Sequence, residues 1–132
     1  MNLGIIGSGS VATAHIKALQ AITEVEKIII YARRIERAQE LAAQFNKICI
    51  AKSIEQLTNN IDGIVIATPN NTHLPLLKEI IAINNIPVLC EKPLASSTQE
   101  AEEFLKLAPH LSIIGFNYRF NKAILLLLYR RA

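Results

Sequence analysis

The sequence predicts an α/β fold, a doubly wound parallel sheet, on three observations. Short β-branched runs alternate with longer stretches of helical periodicity from the first residues to Phe116. One run, GIVIAT at 63–68, is apolar almost throughout, as in a strand covered by helices on both faces. A glycine-rich turn, GSGS at 7–10, stands between the first apolar run and the first helical pattern.

The elements follow in order. LGIIG (3–7) predicts a first strand, and a helix from about Val11 to Ala21 comes next. KIIIYA (27–32) is the second strand, followed by a helix from about Ile35 to Phe45. ICIA (48–51) is the third, and a short helix near Ser53 to Leu57 leads into GIVIAT, the fourth. NTHLPLLKEIIAINN (71–85) reads as a helix that tolerates Pro75 because a missing N–H in the first turn removes no helical bond. IPVLCE (86–91) is the fifth strand. Ser97 and Glu100 have the spacing of a capping box, opening a helix through about Ala108 that stops at Pro109 before the sixth strand, LSIIGF (111–116). No repeat, low-complexity tract or interdomain linker interrupts the alternation.

Bulk composition narrows the function classes. The chain has 132 residues, 51% apolar and 19% charged, which suits one globular domain with a true core. A net charge of +3, spread over helices and loops without interleaved aromatic residues, argues against a nucleic-acid surface. The N-terminal apolar run has no basic segment before it and breaks at Gly7, unlike a secretory signal, and AILLLLY (123–129) is too short to span a bilayer. Cys49 and Cys90 both lie in apolar runs, where free cysteines act as small hydrophobes, so the expected location is the reducing cytoplasm.

The turn itself carries chemistry. Gly7, Gly9 and Ala12 stand in a G-x-G-x-x-A frame, the fingerprint of a Rossmann-type dinucleotide-binding fold. Gly7, Ser8 and Gly9 form the loop, and Ser10 and Val11 start a helix whose N–H groups attract a pyrophosphate. A NAD-preferring site places an acid after the second strand to bond the ribose hydroxyl, but YARRIERA puts Ala32, Arg33 and Arg34 there. Guanidinium groups favour a 2′-phosphate, so the expected cofactor is NADP, with NAD the alternative. The plainer reading, two exposed arginines opening a solvated helix, stays open.

Three further stretches, ATPNNTH (67–73), CEKPLA (90–95) and GFNYRF (115–120), follow the fourth, fifth and sixth strands. Together they resemble the glucose-fructose oxidoreductase, inositol dehydrogenase and MocA (Gfo/Idh/MocA) family of nicotinamide-dependent oxidoreductases, from Asn2 to about Asn121. The resemblance implies that Thr68, Pro69, Asn70 and His73 line the cofactor, with His73 closing over it; a bond to neighbouring backbone is the equal alternative for that ring. It implies that Glu91 and Lys92 reach the nicotinamide and substrate, Lys92 giving or taking the proton that must accompany hydride transfer. It also brings Asn117 and Arg119 to the same pocket. The implied substrate is a small molecule: a sugar, polyol or related carbonyl or alcohol compound.

Other polar residues have structural readings. His15 shares a helical face with Ala12, Ile16 and Leu19 and is expected to pack. His110 receives no role. Glu100, Glu102 and Glu103 lie in a helix's first turns, where carboxylates complement the dipole, and no metal site is expected.

Members of the family carry a second α/β domain. The expectation is therefore that residues 1–120 form the dinucleotide-binding domain and 121–132 begin a truncated segment leading to an absent substrate domain. Alone, the chain should bind dinucleotide without turnover and associate with itself through the apolar block Ile124 to Tyr129. The alternative is a free-standing, non-catalytic nucleotide-binding or sensing module.

Overall fold

The computed structural model describes residues 1–122. The apolar block at 124–129, and with it the expected self-association, lies outside the described residues. Six strands form one sheet: β1 (Asn2–Ile6), β2 (Lys27–Tyr31), β3 (Ile48–Ile50), β4 (Gly63–Ile66), β5 (Val88–Cys90) and β6 (Ile113–Ile114). Five α-helices connect them: α1 (Ser10–Gln20), α2 (Ile35–Ala42), α3 (Ile54–Thr58), α4 (His73–Ile83) and α5 (Thr98–Leu107). Every strand pair is parallel, in the order β3-β2-β1-β4-β5-β6. This is the doubly wound Rossmann order, whose switch point falls between β1 and β4.

Each sheet face has its own core. On one face Ile5, Ile28, Ile30 and Val65 pack against Ala12 and Ile16 of α1 and Ala38 and Leu41 of α2. On the other, Ile6, Ile64, Ile66, Val88 and Cys90 meet Leu57, Leu77, Ile80 and Phe104 from α3, α4 and α5. All four residues of β4 are buried, as its continuous apolar run predicts for a central strand.

Local chemistry explains where the helices begin and end. Ser53 caps α3 by accepting the Gln56 N–H at 3.0 Å, while Gln56 Oε1 accepts the Lys52 N–H at 2.7 Å. The expected box at α5 has the same form: Ser97 Oγ accepts the Glu100 N–H, and Glu100 Oε2 accepts the Ser96 N–H at 2.9 Å. Glu100 is thus a capping residue, and Glu103 pairs with Lys78 of α4 at 2.6 Å. Helix α2 is shorter than its periodicity, ending at Ala42 and passing through turns to Lys47, which adopts a left-handed φ of 60°. Before α4, Asn70–Thr72 forms a 3-10 turn, and Pro75 lies in the helix's first turn.

The two cysteines differ because their strands do. Cys49 sits on β3, an edge of the sheet, and is exposed rather than packed as its apolar neighbours implied. Cys90, on β5, is buried, and burial together with the adjacent Glu91 charge pushes its thiol up to about 12. A raised value keeps the reactive thiolate scarce throughout the neutral range. With a thiol reagent at pH 8, folded protein should therefore label at Cys49 while Cys90 reacts only after denaturation, as peptide mapping would show; equal labelling rates would contradict this packing.

Candidate functional site

The C-terminal ends of β1, β2 and β4 open into a cleft of about 1030 Å³. Its floor is the glycine turn. Gly7 has a φ of 127°, which L side chains rarely adopt, and a Cβ there would stand 2.4 Å from the carbonyl oxygen of Ala67. Its N–H donates to Tyr31 O at 2.9 Å, so residue 7 ties the ends of β1, β2 and β4 together. Gly9 differs: a Cβ there meets nothing within 4 Å, and the residue faces the cleft. The turn keeps open a space that any side chain would fill, as close approach by a phosphate requires.

Gly9 is also the N-cap of α1, with no side chain to cap the helix, and no acid lies in the first turn. The partial positive charge of that terminus is left facing the turn. Arg33 and Arg34 line the cleft after β2, and Arg37 joins them from α2, its Nη1 held by Glu40 Oε2 at 2.9 Å. Among the described residues neither Arg33 nor Arg34 is in an ion pair. On the opposite wall Thr68, Pro69 and Leu76 supply a mixed polar and apolar lining.

Of the expected residues, Gly7, Ser8, Gly9, Arg33, Arg34, Thr68 and Pro69 meet in this cleft. Ser10 and Val11 form the first turn of α1, beside it. Glu91 and Lys92 lie at the end of β5 and Asn117 and Arg119 in a 3-10 turn after β6, past the cleft on the β5–β6 side. Lys92 is exposed, and its bond to Pro93 is cis.

Of the two equal readings of His73, the structure shows the bonds to neighbouring backbone. His73 is 1% exposed, with Nδ1 3.0 Å from Leu94 O and Nε2 2.8 Å from Thr68 O. The ring stands between the loops after β4 and β5 with each nitrogen within hydrogen-bond distance of a backbone carbonyl, and the nitrogen that carries the proton donates. Asn70 links the same two loops by donating from Nδ2 to Ala95 O at 3.4 Å.

His15 departs from its expected packing role. Ala12 and Ile16 are buried beside it, but its Nε2 lies 2.7 Å from Glu91 Oε1. Helical spacing correctly places it next to the core, but only the tertiary fold brings the Glu91 carboxylate, just past the end of β5, within its reach. Arg37, Tyr31 and Leu76 are further cleft residues that motif reading misses. Arg37 had a legible signal, lying one helical turn after Arg33 and Arg34; Leu76 had none beyond its helix.

The sequence profile described as an oxidoreductase family with an NAD-binding Rossmann fold, GFO_IDH_MocA, matches residues 1–117. The chain belongs to the Gfo/Idh/MocA oxidoreductase family. It is 36% identical over 124 residues to glucose-6-phosphate 3-dehydrogenase of Bacillus subtilis, an alignment covering 89% of this chain and 34% of that protein. It is 30% identical over 111 residues to the same organism's scyllo-inositol 2-dehydrogenase (NADP(+)), covering 82% of this chain and 33% of the relative. Among solved structures it resembles UDP-N-acetylglucosamine 3-dehydrogenase from Acidithiobacillus ferrooxidans, with a TM-score of 0.85 at 28% identity, over 98% of this chain and 43% of that one. The chain thus spans about a third of the length of the two Bacillus relatives. Among the described residues no helix is long and apolar enough to cross a membrane.

The conflict built into Gly7 yields a test. Gly7→Ala forces a Cβ toward a backbone carbonyl in a disfavoured φ, which should cost about 1–3 kcal/mol of folding stability by urea denaturation. Gly9→Ala, with open space around it, should leave stability within about 0.5 kcal/mol while weakening any anion held at the turn.

Proposed function

We propose that this chain is the dinucleotide-binding part of a cytoplasmic oxidoreductase that moves hydride between NADP and a sugar, polyol or related alcohol or carbonyl compound. The observation that carries the reading is the cleft at the β1–β4 switch point, floored by an open glycine turn and walled by Arg33 and Arg34 where an acid would discriminate against a phosphate. The substrate class follows from the relatives, which include dehydrogenases of a sugar phosphate and of an inositol. One of them carries NADP(+) in its name, in keeping with the arginines.

In this reading the uncapped start of α1 and the N–H groups of 8–11 hold the pyrophosphate. Arg33 and Arg34 hold the 2′-phosphate by charge-assisted bonds, with Arg37 at the same wall. Gly9 and the ends of β2 and β4, which line the cleft between these groups, would hold the rest of the dinucleotide. When bound, nicotinamide supplies the hydride acceptor or donor. Lys92, at the end of β5, contributes the other half of the chemistry: its amine takes the proton from a carbinol oxygen as hydride leaves the carbon, and returns it in the reverse direction. Thr68 and Pro69 wall the path between the two halves, and Asn117 and Arg119 approach from the β6 side.

Residues 1–120 act as the dinucleotide domain, with 121–132 leading toward the substrate-binding part. Without that part a substrate is neither positioned nor shielded from water, so the chain by itself binds dinucleotide but turns nothing over.

Fluorescence titration should show tighter binding of NADPH than of NADH, and Arg33→Ala should cost about 1–3 kcal/mol of NADPH binding with little effect on NADH. Equal affinities in the wild type would refute the NADP assignment. For catalysis, absorbance of reduced nicotinamide should stay flat when the chain alone meets a panel of sugars and polyols. In an enzyme completed with a substrate domain, Lys92→Ala should lower turnover by roughly two to four orders of magnitude at nearly unchanged dinucleotide affinity. Sustained turnover by the chain alone would refute the requirement for a second part.

A further inference from the structure

Glu91 is gripped from three directions at the end of β5. Its Oε1 lies 2.7 Å from His15 Nε2 on α1, and its Oε2 accepts the backbone N–H of Lys92 at 3.2 Å. From β6, Gly115 comes so close that a Cβ there would stand 3.2 Å from both the Glu91 carboxyl carbon and Oε1. The Glu91 N–H donates to Ile66 O at 3.0 Å, which holds the Glu91 backbone to β4. The His15 and Glu91 side chains are only 22% and 17% exposed, so water screens this pair less than a surface ion pair. A glutamate at a strand end ordinarily samples several rotamers; here the imidazole and the glycine backbone stand against its carboxylate from two sides.

The contacts join two parts of the site that the cleft itself does not connect. Helix α1 begins at the glycine turn, and His15 stands on its second turn. From there the chain of contacts runs through the Glu91 carboxylate to the backbone of Lys92. The remainder of that loop is tied independently, by His73 to Leu94 and by Asn70 to Ala95. Losing the His15 contact therefore frees the Glu91 carboxylate and its bond to the Lys92 N–H, while the Glu91 backbone stays bonded to Ile66 and the loop stays anchored.

We propose that His15 is a positioning residue: by holding the Glu91 carboxylate, it sets the Glu91–Lys92 strand end in register with the helix that receives the dinucleotide's phosphates. The proposal rests on the dinucleotide reading of the cleft. Its consequence is that binding of the nicotinamide half depends on His15, whereas binding of the adenosine half, on the β1–β2 side, does not. Gly115 serves the same end from the opposite side, since a Cβ there would press on the carboxylate and require it to give by a few tenths of an ångström.

Calorimetric titration of this chain with NADPH and with 2′,5′-ADP, which lacks the nicotinamide half, tests the assignment; NADH and ADP are run in parallel. His15→Leu keeps helix propensity but removes the bond, and Gly115→Ala presses on the carboxylate without touching α1. Both should weaken the dinucleotide about tenfold, the size of one lost charge-assisted hydrogen bond, and leave the adenosine nucleotide within about twofold. His15→Gln, whose amide nitrogen reaches where Nε2 stands, should recover most of the loss. Equal weakening of dinucleotide and adenosine nucleotide, no weakening of either in Gly115→Ala, or a Gln variant as poor as Leu would each overturn the positioning role. Wild-type protein that binds no dinucleotide overturns the cofactor reading itself, an outcome distinct from wild-type binding that the variants leave unchanged.

Discussion

The ligand face depends on how closely β1 and β4 approach where they end. The Ala67 carbonyl leaves no room for a Cβ at residue 7, and the Gly7 N–H is bonded to Tyr31 across on β2. One residue without a side chain thus lets three strand ends meet. Because α1 leaves β1 toward one sheet face and α4 leaves β4 toward the other, that meeting point is also where the two helical layers part. The cleft is the gap between them, and everything that lines it is placed relative to this contact.

Loops at the ends of parallel strands have no ladder to order them, and here side chains replace it. His73 spans the carbonyls of Thr68 and Leu94, Asn70 reaches Ala95, and Glu91 links α1 to the backbone of Lys92. All of these ties lie on the β4–β5 side of the switch point. The β2 side has a different character: its polar groups are the guanidiniums of Arg33 and Arg34, for which the described residues provide no ion-pair partner. One half of the face is internally bonded, and the other lines the cleft with positive charge. That division matches a ligand with an anionic end to be gripped and a reactive end to be held in register.

The edges of the sheet mark the limits of this design. Among the described residues the outer side of β3 and of β6 has no neighbouring strand, and Cys49 and Ile113 are exposed there despite their apolar surroundings in the sequence. Around β6 the exposure widens to Leu111, Phe116, Tyr118 and Phe120, whereas β4 and β5 in the interior bury almost everything they carry. An apolar run identifies a strand, but its place in the sheet order decides how much of it meets water.

Much of this was determined by the sequence alone. Alternating runs with the periods of strand and helix specified the parallel sheet, because each run is a local pattern that needs no partner to be read. The glycine frame, the missing acid after β2 and the capping box at Ser97 and Glu100 were legible for the same reason: their chemistry lies within a few consecutive residues. The roles of His15, His73, Glu91 and Cys49 were decided only by tertiary structure. His15 meets its carboxylate 76 positions away, His73 bonds a carbonyl 21 positions on, and Cys49 is exposed because its strand is the last in the sheet. A side chain's partner across the fold is set by how helices cross strands, and that geometry leaves no local pattern in the sequence.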